Sequence, residues 1–150
     1  MQRVIFACVH NAGRSQMAAA FFTELADPGK AAAVSAGTRP GDRVHAEVVE
    51  VMRELDIDLA GRRPQKLTEQ LASDAFLLVT MGCGEECPYV PGLKRDDWPL
   101  DDPKGQSLEQ VRRIRDEVRD RVSALVDQYG WRRSTPPAWA NTVSPRSRLR

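Results

Sequence analysis

No apolar run in these 150 residues approaches the roughly 20 needed to cross a bilayer as a helix. The first residues read as a strand and lack the charged-then-apolar order of a secretory leader. A cytoplasmic protein with no membrane partner is the expectation. Histidine is scarce, at His10 and His45, and cysteine is limited to Cys8, Cys83 and Cys87. That leaves no second ligand pair at zinc-finger spacing, so no metal is expected. Three thiols in a chain long enough to build a core point to chemistry before a disulfide scaffold. Acid is missing from the last twenty residues, which carry five arginines, so the first 130 sum to −4 although the whole chain is +1. The body therefore has no general basic surface, and no helix-turn-helix pattern is present, which excludes nucleic acid as the expected partner.

What is present alternates. Val4–Ala7 reads as a buried strand, Ser15–Ala26 as a helix and Ala33–Ala36 as a second strand. Val44, Val48, Val51, Met52 and Leu55 recur at helical spacing. Leu67–Leu71 reads as a short helix. Phe76–Thr80, apolar on both faces, reads as a third strand of the kind found in the middle of parallel sheets. Gly82–Asp102 is irregular, with a short strand near Arg95–Trp98. Leu108, Val111, Ile114, Val118, Val122, Leu125 and Tyr129 then mark a long amphipathic helix that Gly130 ends. Alternation of this kind builds an α/β domain, a parallel sheet wrapped by helices. Residues 1–130 are expected to form one monomeric catalytic domain. Residues 131–150, rich in Pro, Ser and Arg and without periodicity, are expected to form a mobile tail.

The segment Cys8-Val9-His10-Asn11-Ala12-Gly13-Arg14-Ser15 joins the first strand to the first helix. Backbone N–H groups at such a junction converge without partners, and the helix dipole favours negative charge there. The result is an oxyanion cradle with a thiol at its base. The same field favours the thiolate, which makes Cys8 a nucleophile. Arg14 adds a planar clamp suited to a tetrahedral oxyanion. An inert cysteine at a buried strand end is the plainer reading; the strand, loop and helix read independently around Cys8 argue against it.

Two further features suit that loop. Asp102, in Asp101-Asp102-Pro103, offers a carboxyl group that could protonate a leaving oxygen, although Asp-Pro is equally a turn or helix-start signal. Cys83 and Cys87 follow the third strand four positions apart, and with Cys8 they form a candidate thiol relay. Ligands of such sheets bind at the carboxyl ends of the strands, where these residues cluster.

Val4-Ile5-Phe6-Ala7-Cys8, Asn11, the run Arg14-Ser15-Gln16-Met17, Ser35-Ala36-Gly37-Thr38, Met81-Gly82-Cys83 through Cys87-Pro88, and Asp97-Trp98-Pro99 through Pro103 resemble, in order, the arsenate reductases of the low-molecular-weight tyrosine phosphatase-like superfamily. The resemblance spans residues 2 to 130. It implies a four-stranded parallel sheet of order 2-1-3-4, and reduction of arsenate to arsenite as a detoxification activity. Cys8 would attack arsenic(V). Arg14 and the amides of residues 9 to 15 would bind the oxyanion, with phosphate or sulfate as competitors. Ser15 would stabilise the thiolate, Asn11 would shape the loop and Asp102 would protonate departing hydroxide. No tightly bound cofactor is implied, only an external thiol reductant: thioredoxin, or mycothiol with mycoredoxin.

Gln16 stands where the phosphatases of the superfamily usually have proline, and the Met-Gly-Cys-x3-Cys-Pro block is likewise a reductase feature. The chain departs from the thioredoxin-coupled members at two positions: Gly13 replaces their second loop cysteine, and Ala19 replaces a glutamate that helps hold potassium. Hydrolysis of phosphomonoesters through a phosphocysteine is the nearest alternative, using the same loop and Asp102 but no second thiol. A sensor binding oxyanion or arsenite through soft thiol ligands is the non-enzymatic alternative.

Overall fold

The computed structural model describes residues 1–82 and 91–141. Four strands, β1 (Gln2–Cys8), β2 (Ala31–Gly37), β3 (Leu77–Thr80) and β4 (Lys94–Asp97), form one parallel sheet in the order β2-β1-β3-β4. This is the architecture the sequence implied. β1 is paired along both edges and packed against an apolar cluster on each face, and Val4 through Cys8 are all buried. That is why it reads as an unbroken apolar run. β4 is the opposite case, an edge strand of four exposed charged residues, Lys94-Arg95-Asp96-Asp97. Charge on an edge discourages pairing with another chain.

The period of two along β1 divides the interior. Val4, Phe6 and Cys8 point into the larger core, with Leu77, Val79 and Met81 and the apolar faces of α1 (Arg14–Leu25), α2 (Ala46–Arg53) and α4 (Leu108–Gln128). Ile5 and Ala7 point the other way, into a smaller cluster with Ala36, Leu67, Ala72 and Leu78. Helix α1 is buried on almost every side, from Arg14 to Phe22 and again at Leu25. Ser107 caps α4 by accepting the Gln110 N–H at 3.2 Å. The helix expected at Leu67–Leu71 forms instead as α3 (Glu69–Ala72). Thr68 is its cap, accepting the Leu71 N–H, while the Leu67 N–H is drawn to the Gly37 carbonyl at the end of β2.

The expected tail needs correction over residues 131–141. Trp131 is 6 % exposed. Its ring lies 4.6 Å from Tyr129 and 5.8 Å from both Phe22 and Phe76. Arg132 bridges to Ala26 in antiparallel fashion, and the Arg133 guanidinium donates to the carbonyls of Thr23 (2.9 Å) and Ala26 (3.3 Å) at the end of α1. A 3-10 turn, Ala138–Asn141, sets the Trp139 ring 5.3 Å from Phe21, with Nε1 donating to Glu24. Single aromatic anchors hold this segment, and isolated anchors leave no period in a sequence. Residues 142–150, and Cys83 and Cys87, lie outside the described residues.

Trp131→Ala is expected to destabilise the domain by about 3–5 kcal/mol, the range for emptying a buried aromatic site. Denaturant unfolding checks this, and a cost near zero would restore residue 131 to the tail.

Candidate active site

The loop after β1 is built by its carbonyls. Cys8 O accepts from Thr38 N–H, Val9 O from Arg39, His10 O from Gly41 and Ala12 O from His45, at 2.8–3.3 Å. Asn11 O accepts from Gln16 Nε2 at 3.0 Å, and Gly13 O from Met17 N–H at 3.0 Å. Six consecutive carbonyls are thereby turned away from the loop centre, four of them towards the connection between β2 and α2. Among the described residues none of the backbone N–H groups from His10 to Ser15 has an acceptor. Unpartnered N–H groups at a helix start form a nest for an anion.

Cys8 sits at the base of this nest, 2 % exposed, with Sγ 2.9 Å from Ser15 Oγ. Asn11 Nδ2 donates to Ser15 Oγ at 2.7 Å. Asn11 itself has φ of 52°, in the left-handed region that asparagine tolerates better than most residues. Arg14 opens α1 and is 7 % exposed, yet its Nε has no partner among the described residues. Its Nη1 donates to the Leu100 carbonyl at 3.0 Å, and its Nη2 lies 3.8 Å from Asp102 Oδ2. The guanidinium is thus held from behind while Nε remains available. Asp102 is half-exposed, and its other oxygen accepts the Lys104 N–H at 3.0 Å.

Gly82 and Gly13 are each fixed by close approach. A Cβ at Gly82, where φ is +87°, would lie 2.5 Å from Arg14 Nη1. A Cβ at Gly13 would lie 2.7 Å from Pro103 Cγ and 3.6 Å from the His45 ring. A cysteine at position 13 has no room here, which accounts physically for the departure at Gly13. The potassium site that the resemblance raised does not fit either. Asn11 Oδ1 accepts N–H groups from Gln65 and Gln16, the Ser35 carbonyl accepts from Gln65 Nε2, and Ala19 supplies no carboxylate.

His45 titrates below its ordinary value because burial disfavours the imidazolium, outweighing the nearby carboxylates of Glu47 and Asp102. Since the folded state resists this proton, His45 lowers stability as pH falls below about 6.5.

The structure brings Cys8, the loop 9–13, Arg14, Ser15 and Asp102 together. Cys83 and Cys87 lie outside the described residues. Sequence reasoning missed the contacts made by the Leu100 carbonyl, Pro103, His45 and Gln65, which are long-range and carry no local signal. Gln16 had a signal, its departure from proline, without a physical role.

Residues 3–133 match the model of the low molecular weight phosphotyrosine protein phosphatase family. The glutaredoxin arsenate reductase of Synechocystis is 37% identical over 129 residues, covering 84% of this chain and 97% of that protein. The solved thioredoxin-dependent arsenate reductase of Corynebacterium glutamicum is 31% identical with a TM-score of 0.73, covering 87% of this chain and 62% of the other. A solved arsenate reductase in a phosphate-binding state is 34% identical with a TM-score of 0.72, covering 85% of this chain and 98% of the other.

Gly13→Ala should push Pro103, and with it Asp102, off the loop. A stability cost of about 1–3 kcal/mol from overpacking is expected, with a larger proportional loss of turnover; a variant with normal turnover would show the Pro103 contact to be idle. In an NMR titration the His45 midpoint should fall below 6.5, and a midpoint above it would mean the carboxylates outweigh burial.

Proposed function

The chain belongs to the low molecular weight phosphotyrosine protein phosphatase family, and we propose that its Cys8 loop reduces arsenate to arsenite by attack of the thiolate on arsenic(V). The protein is an arsenate reductase, an enzyme that draws on an external thiol reductant. The observation that carries the reading is the nest itself: loop N–H groups and an Arg14 Nε that have no partner among the described residues, on the loop that follows a buried thiol. A tetrahedral oxyanion supplies acceptors to donors of this kind.

In the proposed sequence Cys8 Sγ forms a bond to arsenic and one arsenate oxygen leaves as hydroxide, protonated to water by Asp102. Ser15 donates to the thiolate; Arg14 and the amides of residues 9 to 15 hold the remaining oxygens. A second thiolate then attacks Cys8 Sγ. A disulfide forms, the sulfur–arsenic bond breaks, and its electron pair stays on arsenic, which leaves as arsenite. Within this chain we assign that attack to Cys83 and the resolution of the Cys8–Cys83 disulfide to Cys87, which frees Cys8 as a thiolate. Support comes from the adjoining residue: the Gly82 backbone packs against the Arg14 guanidinium, and Cys83 follows it in sequence. The Cys83–Cys87 disulfide is then reduced by thioredoxin. In the other route mycothiol performs the first reduction and mycoredoxin the second, and neither Cys83 nor Cys87 is needed.

A phosphomonoesterase reading is favoured by one observation, the position of Asp102 beside Arg14. It needs Cys8, Arg14 and Asp102 but no second thiol, and it serves as a control.

Arsenate-dependent NADPH oxidation, with thioredoxin and its reductase or with mycothiol and mycoredoxin, tests the whole. Cys8→Ser should abolish turnover in both systems, because a hydroxyl is not ionised by this loop; wild-type rates would sink the mechanism. Arg14→Lys should lose at least about tenfold, as two-pronged charge-assisted contacts become a point charge. Near-normal efficiency would make Arg14 structural. Cys83→Ser and Cys87→Ser should lose thioredoxin-supported turnover and keep any phosphomonoester hydrolysis. Normal turnover in both, with mycothiol as reductant, would overturn the internal relay in favour of the mycothiol route.

A further inference from the structure

A side-chain amide is oriented unambiguously where a backbone N–H meets it, because that group only donates. The Gln65 N–H lies 2.9 Å from one terminal atom of Asn11, which must be Oδ1. Nδ2 therefore faces Ser15 Oγ, at 2.7 Å. With that N–H occupying a lone pair of the hydroxyl, the hydroxyl proton is left for Cys8 Sγ at 2.9 Å. Gln16, buried beneath the loop, reinforces the same orientation: its Nε2 donates to the Asn11 carbonyl at 3.0 Å and to Oδ1 at 3.2 Å. Gln65 is in turn fixed to the end of β2. Its carbonyl accepts from Gly37 at 2.9 Å, and its Nε2 donates to the Ser35 carbonyl at 2.9 Å.

We propose that Gln16 and Gln65 are positioning residues for the nucleophile, holding the Asn11 carboxamide so that donation runs one way, from Gln65 N–H through Asn11 and Ser15, and ends on the Cys8 sulfur. The opposite orientation would present Oδ1 to Ser15 and draw the hydroxyl proton away from the thiolate. Successive bonds in one direction also polarise one another. Neither glutamine contacts the sulfur, so each acts through Asn11. The inference rests on Cys8 as the attacking thiolate and not on which oxyanion it attacks.

The pH dependence of Cys8 alkylation by iodoacetamide in the full chain is the test. It is followed by mass spectrometry on the peptide containing Cys8, so that Cys83 and Cys87 do not contribute. Gln16→Met removes the donor and keeps the length of the side chain. Its profile should move to higher pH, with alkylation below neutral pH slowed about fivefold, the weight of one ordinary hydrogen bond. Ser15→Ala cuts the chain between Asn11 and Cys8, so adding Gln16→Met to it should move the profile no further. A Gln16→Met profile that superimposes on wild type, or a shift that recurs undiminished in the Ser15→Ala background, would overturn the proposal. If Gln16→Met fails to fold, Gln65→Ala removes only the contact to Ser35. It should move the profile in the same direction, and an unmoved profile would equally overturn the assignment. Alkylation needs no arsenate: a protein inert towards arsenate that shows these shifts would refute the reductase reading and leave the positioning role standing.

Discussion

The site depends on one constraint, the outward rotation of six consecutive carbonyls from Cys8 to Gly13. Each peptide unit has two polar ends, and a buried end without a partner is costly. The loop exports its acceptors to Thr38, Arg39, Gly41, His45, Gln16 and Met17. Its donors are left facing the thiol with nothing of the described chain to satisfy them. The connection between β2 and α2 thereby shapes the cradle through its backbone N–H groups. Donors fixed in this way need no reorganisation when an oxyanion arrives, which is where electrostatic stabilisation gains most.

Arg14 extends that constraint to the other strand ends. As the first residue of α1 it belongs to the loop after β1, yet its guanidinium is held by the Leu100 carbonyl beyond β4 and passes over Gly82 beyond β3. With β1 between β2 and β3, and β4 next to β3, all the strand ends open on the same side. One cation can therefore tie three loops together. The left-handed φ of Gly82 and the 2.5 Å approach of a would-be Cβ to Arg14 make that position doubly specific for glycine.

What could be read in the sequence follows from how local the signal is. The loop from Cys8 to Ser15 was legible because the strand, the loop and the helix that build it are contiguous. β1 and β3 were legible as apolar runs, and α4 by its period. Asp102 was half legible: Asp-Pro is ambiguous, and only its approach to Arg14, 88 positions away in sequence, gives it a place. Gln65 meets Asn11 across 54 positions and Leu100 meets Arg14 across 86, so neither role has a local trace. Trp131 and Trp139 were misread for a related reason. Each is a lone aromatic in a Pro- and Arg-rich stretch, and burial against Phe22 or Phe21 is a tertiary event with no periodicity to announce it.

Nothing in the cradle distinguishes arsenate from phosphate. Both are tetrahedral oxyanions of nearly the same size and charge, and a site that binds them through amide N–H groups and a guanidinium holds them almost equally. Selectivity must then arise after the covalent step. A thiolate that attacks the sulfur of a sulfur–arsenic adduct leaves the bonding pair on arsenic, which is stable in its lower oxidation state. Phosphorus does not accept the pair, and its adduct can only be hydrolysed. In the proposed mechanism the loop, Arg14 and Asp102 serve both chemistries, and the outcome turns on whether a thiol or a water reaches the adduct first.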